Sequence, residues 1–135
     1  MYVRFVNATR SENAYLATGL FMATRWLRDD GVLDPQEVEF LDETLEWFNE
    51  HMRCPPFKEK LKTKAWSTEA VAWYHDHATR HIEKMWNFVS ILKRHGEPVR
   101  MVKTKRPGKV IYSDQHQIVA ETPRRAFRRR PEWRL

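Results

Sequence analysis

The sequence is poor in cysteine, glycine and long apolar runs, and each shortage excludes a class of protein. A single cysteine cannot form an internal disulfide, so the chain suits a reducing compartment and must fold by packing alone. Four glycines offer few places for backbone to approach a phosphate, and no glycine-rich phosphate loop or nucleophile elbow occurs. The apolar stretches are too short to span a bilayer, and the first residues lack the apolar segment of an export signal. We therefore expect a cytoplasmic protein without a membrane segment.

Bulky apolar residues are abundant. The chain is 135 residues long and 41% hydrophobic, with six tryptophans, seven phenylalanines and four tyrosines. That length and composition are typical of one domain with a core of its own. Periodicity is lost after Pro123, so we predict a single domain over residues 1–122 and an arginine-rich tail over residues 123–135.

The apolar periodicity predicts one strand followed by three helices. Residues 2–6 alternate and are rich in β-forming types, as in a half-buried strand. Asp34 before Pro35, with Glu37 three positions after Asp34, has the pattern of a capping box at the start of a helix. The predicted helices cover about residues 16–27, 35–53 and 67–95, and Gly96 and Pro98 end the last one.

Beyond Pro98 the apolar pattern has a period of two, which predicts strands. Residues 99–104, 109–112 and 117–121 alternate or run apolar, with short polar segments between them. Pro107 and Gly108 stand where a type II turn needs those residue types. We expect a C-terminal three-stranded meander that the N-terminal strand joins. The predicted fold is therefore α+β, with three helices packed on a small antiparallel sheet.

Charge is sorted along the chain. Residues 34–50 carry seven acids and no base, residues 93–110 carry seven bases and one acid, and residues 124–135 carry six arginines and one acid. A local basic surface favours an acidic partner, either an acidic protein surface or a nucleic acid. The acidic second helix of one copy could also meet the basic tail of another in a homo-oligomer.

The basic residues fall into two groups, and aromatic residues lie among the second. Guanidinium groups pair with phosphates or carboxylates, and aromatic rings stack on bases. The alternative for the tail is a solvated segment that only keeps the protein soluble. The predicted partner-binding residues are Arg100, Lys103, Lys105, Arg106 and Lys109 around the first turn of the meander, and Arg124, Arg125, Phe127, Arg128, Arg129, Arg130 and Trp133 in the tail.

Histidines give the strongest candidate for site chemistry. His77 and His81 stand one turn apart on the predicted third helix, as two metal ligands would. The sequence places no third ligand beside them, and no glutamate follows His77 as it would in a zinc protease. Cys54 follows the C-terminus of an acidic helix, where a thiolate is disfavoured. We predict no metal, no cofactor and no catalytic residue, with His77 and His81 as the candidates should a metal be bound.

A group of small uncharacterised bacterial proteins resembles this chain in three segments. They are residues 107–121 (PGKVIYSDQHQIVAE), residues 47–49 (WFN) and residues 95–96 (HG). The resemblance covers most of residues 1–122 and implies a compact bacterial domain. It implies no activity, because that group has no established function. The arginine-rich tail is an addition to the shared part.

Together these patterns predict a non-catalytic protein that binds an acidic partner through its basic C-terminal half. A neutralising, immunity-like or accessory factor fits this description, because segregated charge on a small single domain suits steered, specific association. The alternative is an RNA- or DNA-binding protein. A metal-dependent enzyme that uses His77 and His81 ranks third.

Overall fold

The computed structural model of the chain describes residues 1–7, 18–52 and 70–121. These residues form six strands and three helices. In chain order they are β1 (Tyr2–Asn7), β2 (Thr18–Gly19), α1 (Leu20–Asp29), α2 (Pro35–His51), β3 (Ala70–His75), α3 (Thr79–Arg94), β4 (Val99–Thr104), β5 (Lys109–Ser113) and β6 (Gln117–Glu121). The predicted α+β class is confirmed.

The strands form one antiparallel sheet. Strand β1 pairs with β4 along its whole length, from Tyr2 opposite Thr104 to Asn7 opposite Val99. Its other edge is shared, because β3 pairs with Tyr2 and Val3 while β2 pairs with Val6 and Asn7. Strand β6 then pairs with β3, and β5 pairs with β6. Across the sheet the order is therefore β4, β1, β3, β6, β5, with the short β2 beside the end of β1.

Helix α3 links the two strands that flank β1. Both β3 and β4 run antiparallel to β1, so they are parallel to each other. A parallel pair needs a crossover connection, and α3 provides it over one face of the sheet. The main core lies on that face, where Val3 and Phe5 of β1 meet Phe88 and Leu92 of α3.

The predicted third helix is wrong in its first part. Residues 70–75 form strand β3, and α3 begins only at Thr79. Trp73 and Tyr74 point to opposite faces of the sheet, and both are buried. Because a strand buried on both faces has no polar alternation, apolar residues at Val71, Tyr74 and Ala78 imitate a helical stripe.

The first two helices agree better with the sequence. Helix α1 begins at Leu20, later than predicted, because Thr18 and Gly19 pair with β1. Helix α2 has the predicted capping box: Glu37 N–H donates to Asp34 Oδ1 at 2.8 Å, and Asp34 N–H donates to Glu37 Oε1 at 3.1 Å.

Gly96 ends α3 as predicted. Its φ of 74° lies in the left-handed region that favours glycine, and the N–H of Glu97 reaches back to the Leu92 carbonyl at 2.9 Å. The following strand can therefore begin only three residues later, at Val99.

The predicted meander is wrong in its pairing. Strands 99–104, 109–113 and 117–121 all form, and β5 pairs with β6, but β4 pairs with β1. Strands β4 and β5 consequently lie at opposite edges of the sheet. The pattern of alternating residues predicted where the strands lie. It carried no information about which strands pair with each other.

The link between β4 and β5 shows that the sheet is curled. Thr104 pairs with Tyr2 beside one end of β3, whereas Lys109 pairs with Glu121 beside the other end. A flat sheet would separate Thr104 from Lys109 by about 25 Å, from strand spacings of about 4.8 Å and a rise of about 3.3 Å per residue. The five residue steps from Thr104 to Lys109 span at most about 18 Å. The curl brings Val102, Trp73 and Ile118 into a second apolar cluster, on the face away from the helices.

Arg4 lies where β1 and β3 part. Its Nη1 donates to the Ala72 carbonyl at 3.2 Å, across the gap between the two strands. Burial lowers the pKa of Arg4 to about 10, against a raising effect of Tyr74, so the guanidinium remains charged at neutral pH. The contact ties the two parts of the sheet together at the point where strand pairing stops.

Candidate functional site

A basic strip runs from the end of β4 into the start of β5. We define it as Lys103, Lys105, Arg106 and Lys109, all of them exposed. The first of these lies in β4, the next two lie in the connection, and Lys109 opens β5. Their role in binding a partner stays a prediction, and their exposure is the observation that bears on it. Arg100, the fifth predicted residue of this group, is only half-exposed.

The lysines of the basic strip are not neutralised by the part of the chain that is described. The ion pairs found there join other residues, such as Arg28 with Asp42 at 2.9 Å and His95 with Glu37 at 2.8 Å. Lys103, Lys105 and Lys109 take part in none of them. Their charges are therefore fully presented to solvent or to a partner.

The backbone holds the basic strip in place. Val99 and Val102 of β4 are buried, so the strand is anchored from both faces of the sheet. In the connection, Arg106 N–H donates to Thr104 Oγ1 at 3.0 Å, and Pro107 is buried. A strand and turn fixed in this way lose little conformational entropy when a partner binds.

Trp86 is an exposed aromatic side chain that the sequence analysis missed. It lies on α3, is 46% exposed, and packs edge-on against Phe5 with ring centroids 5.4 Å apart. Phe5 stands opposite Met101 in β4, and Lys103 is the next residue of β4 on that same face. Trp86 therefore adds an apolar surface beside the basic strip. A tryptophan outside the apolar stripe of an amphipathic helix was the signal that could have revealed it.

The tail residues predicted to bind a partner lie outside the described ranges. These are Arg124, Arg125, Phe127, Arg128, Arg129, Arg130 and Trp133. Cys54 also lies outside them.

The two candidate metal ligands do not face each other. His77 lies in the turn before α3 and stacks on His75, with ring centroids 4.9 Å apart. His81 is buried on α3 and stacks on His116, with centroids 4.1 Å apart. The premise that both lie on one helix face is wrong, because the helix begins at Thr79. Among residues 1–7, 18–52 and 70–121, no group of three or more His, Cys, Asp or Glu side chains has an arrangement that would hold a metal ion.

His81 joins three elements at one end of the molecule. Its Nε2 lies 2.9 Å from the carbonyl oxygen of His51 at the end of α2, and its ring lies against His116 of the β5–β6 turn. Burial lowers the pKa of His81, and nearby His116 and His51 lower it further against the raising effect of the bond to the His51 carbonyl. A neutral His81 donates to that carbonyl through Nε2.

Asp114 organises the β5–β6 turn. Its carboxylate accepts from the N–H groups of His116 at 2.8 Å and Gln117 at 3.0 Å, and from Tyr112 Oη at 2.9 Å. Burial raises the pKa of Asp114, but these hydrogen bonds outweigh it and hold the pKa below its ordinary value. A carboxylate committed to so many donors is a poor general base, because its lone pairs are already in use.

An open cavity of about 420 Å³ lies between the end of α2 and this turn, lined by residues including His51, Asp114 and His116. The C-terminus of α2 puts carbonyl groups and negative dipole at its rim. The described residues therefore supply no cationic cradle there for an anionic ligand. We assign the histidine contacts a structural role, joining α2, α3 and the turn.

No known protein family, curated protein or solved structure matches this chain.

The acids of α2 form the opposite electrostatic pole from the basic strip. Five of them are exposed: Glu39, Asp42, Glu43, Glu46 and Glu50. Helix α2 packs on α1 and α3 through contacts such as Phe48 against Phe21 and Phe88, and its exposed acids lie away from these contacts. The described molecule therefore presents an acidic helix and a basic strand edge on separate elements. In the part of the chain that is described, no helix is long and apolar enough to cross a membrane.

Proposed function

We propose that this protein is a non-catalytic binding protein that holds an acidic partner on its basic strip. Three exposed lysines that form no ion pair with any described residue, fixed on a strand and a tight connection, are the observation that supports the proposal. Such a surface attracts acidic molecules and orients them before contact. A neutralising, immunity-like or accessory factor in the bacterial cytoplasm is the kind of protein that would act in this way, through binding alone.

An acidic protein surface fits better than a nucleic acid as the partner of the described surface. Residues beside the strip are apolar, with Met101 half-buried and Trp86 half-exposed. Interfaces between proteins centre on such aromatic side chains, with charge at the rim. Nucleic-acid sites usually spread many more cations along a backbone path.

Binding of RNA or DNA is the second candidate, and one observation favours it. Exposed Trp86 packs on Phe5, which is paired with Met101, and Lys103 is the next residue on that face of β4. An aromatic ring near a cation can stack on a base while the cation meets a phosphate. A single-stranded nucleic acid would suit this arrangement best, because its bases are free to stack.

Charge reversal on the strip tests the proposal. We expect the double variant Lys103→Glu, Lys105→Glu to bind a fluorescent oligoglutamate at least about tenfold more weakly than the unaltered protein at low salt. Fluorescence anisotropy measures the affinity, and a labelled single-stranded oligonucleotide is titrated in parallel to compare the two partner classes.

The matched control reverses two exposed cations on the helices, Arg25→Glu and Lys93→Glu. It changes net charge equally, so it should keep most of the affinity if the strip is the site. Equal loss in both double variants would mean that only net charge matters and would refute the assignment. Failure of the unaltered protein to bind either acidic probe would refute the proposed function itself.

A further inference from the structure

Strand β4 is an edge strand with a regular backbone among the described strands. All six of its residues are in register with β1, and no described strand pairs with its outer edge. Edge strands present a row of backbone N–H and C=O groups that another strand can use. Since Val99 and Val102 are buried, this edge is held in position before any partner arrives.

The side chains along the helix-facing side of β4 change from apolar to basic. Val99 is buried, Met101 is half-buried beside the Phe5–Trp86 pair, and Lys103 is exposed, with Lys105 following after the strand. A strand laid against this edge would therefore meet an apolar surface at one end and positive charge at the other.

Pairing of β4 with itself in a second copy is opposed by charge. In a two-fold antiparallel pair centred on Val102, Lys103 of one copy would be a diagonal neighbour of Lys103 of the other on the same face, and Lys105 and Arg106 would flank both. Like charges brought together in this way destabilise strand pairing. Lysine on an edge strand is a known protection against such self-association. The same lysines favour a strand that carries acids.

We propose that β4 accepts an extended segment of an acidic protein as an additional antiparallel strand. The inference rests on the proposed function and identifies how the basic strip would be used. All strand pairs in the sheet are antiparallel, so the added strand would have its N-terminal half beside Lys103 and Lys105. Acidic side chains belong in that half, and apolar side chains belong in the half beside Met101 and Trp86.

A designed peptide tests the inference. We would use the blocked peptide Glu-Thr-Glu-Thr-Val-Thr-Val, with its two acids at the N-terminal end and its apolar residues at the other. It should bind, and in NMR spectra the largest shifts should fall on β4 amides and on the indole of Trp86. The variant Trp86→Ala should bind it more weakly. The sequence with lysine in place of glutamate should not bind.

Backbone methylation separates strand addition from charge attraction. In an antiparallel pair, only alternate residues of the added strand donate N–H groups to its neighbour. Two versions of the peptide are made, one N-methylated at odd positions and one at even positions. We expect one version to bind at least about tenfold more weakly, because it loses several hydrogen bonds, and the other to bind like the parent.

The outcomes distinguish this inference from the proposed function. If both methylated peptides bind as the parent does, or if the parent does not bind, strand addition is refuted. The oligoglutamate measurement with Lys103→Glu, Lys105→Glu would still decide whether the basic strip binds acidic molecules. A parent peptide that binds equally to the Lys103→Glu, Lys105→Glu variant would also refute the inference, because the acids would then have no role.

Discussion

His81 shows how a residue's role depends on its neighbours in space. In the sequence it pairs with His77 at helical spacing, whereas in the fold it contacts His116 and the carbonyl of His51, which are far from it along the chain. The sequence spacing predicted that His77 and His81 share one face of a helix. Residues 70–75 form a strand and α3 begins only at Thr79, so His77 is not on that helix. Contacts between α2, α3 and the β5–β6 turn depend on which strands pair in the sheet, and local sequence patterns do not predict that pairing.

The lowered pKa of His81 predicts a loss of stability in mild acid. Its folded pKa lies below the ordinary value of 6.5, so the unfolded chain binds the proton more readily. Its contribution to stability is therefore fully present above pH 6.5 and is lost as pH falls from there towards the folded pKa. We expect the melting temperature to fall between about pH 7.5 and pH 5.5.

Two variants isolate the contribution of His81 to that pH dependence. His81→Phe keeps an aromatic ring but cannot titrate, so its melting temperature should change less over the same pH range, even if it is lower throughout. His77→Gln removes an exposed histidine and should keep the pH dependence of the unaltered protein. A His81→Phe variant with the full pH dependence would show that another group is responsible.

At the scale of elements, the sequence predicts best where local chemistry decides. The capping box of Asp34 and Glu37 set the start of α2, and Gly96 set the end of α3, because caps and left-handed positions depend on a few adjacent residues. Residues 70–75 were misread because both Trp73 and Tyr74 are buried. Strand β3 buries side chains on both faces because the assembled sheet has an apolar cluster on each face, with Tyr74 in one and Trp73 in the other.

The β5–β6 turn should depend on Asp114. Replacing it with alanine removes hydrogen bonds to two backbone N–H groups and one hydroxyl, so we expect Asp114→Ala to lower the free energy of unfolding by about 2 kcal/mol. Asp114→Asn keeps one acceptor oxygen and should lose less. Urea unfolding measures both.

Exposed Gln115 in the same turn provides the comparison. Gln115→Ala should leave stability nearly unchanged, since its side chain is not needed to hold the turn. Because the pKa of Asp114 is below 3.8, its contribution is present above that pH and is lost as the pH falls through the folded value. If Asp114→Ala is as stable as the unaltered protein, the proposed role of Asp114 in holding the turn is refuted.

At the scale of the whole molecule, the order of periodic segments predicted the fold class but not the topology. Helices on one face of an antiparallel sheet followed from that order. The curl of the sheet did not, because it results from β4 choosing β1 as its neighbour while only four residues link β4 to β5. That choice also created the open basic edge. The sequence predicted the cations of the strip as partner-binding residues but could not place Trp86 near them.

Separation of the acidic helix from the basic strip predicts association that depends strongly on salt. An acidic probe should be drawn to the strip over a distance, so its association rate constant should fall when salt is raised from about 50 to 500 mM, with a smaller change in its dissociation rate. Stopped-flow fluorescence with labelled oligoglutamate measures both. Lys103→Glu, Lys105→Glu should flatten this dependence, whereas Arg25→Glu, Lys93→Glu should largely keep it.

For a single-stranded oligonucleotide, log affinity against log salt should fall with a slope of about −0.7 per phosphate contact, which counts the contacts directly. If Lys103→Glu, Lys105→Glu and the unaltered protein respond equally to salt with both probes, the strip does not steer acidic partners.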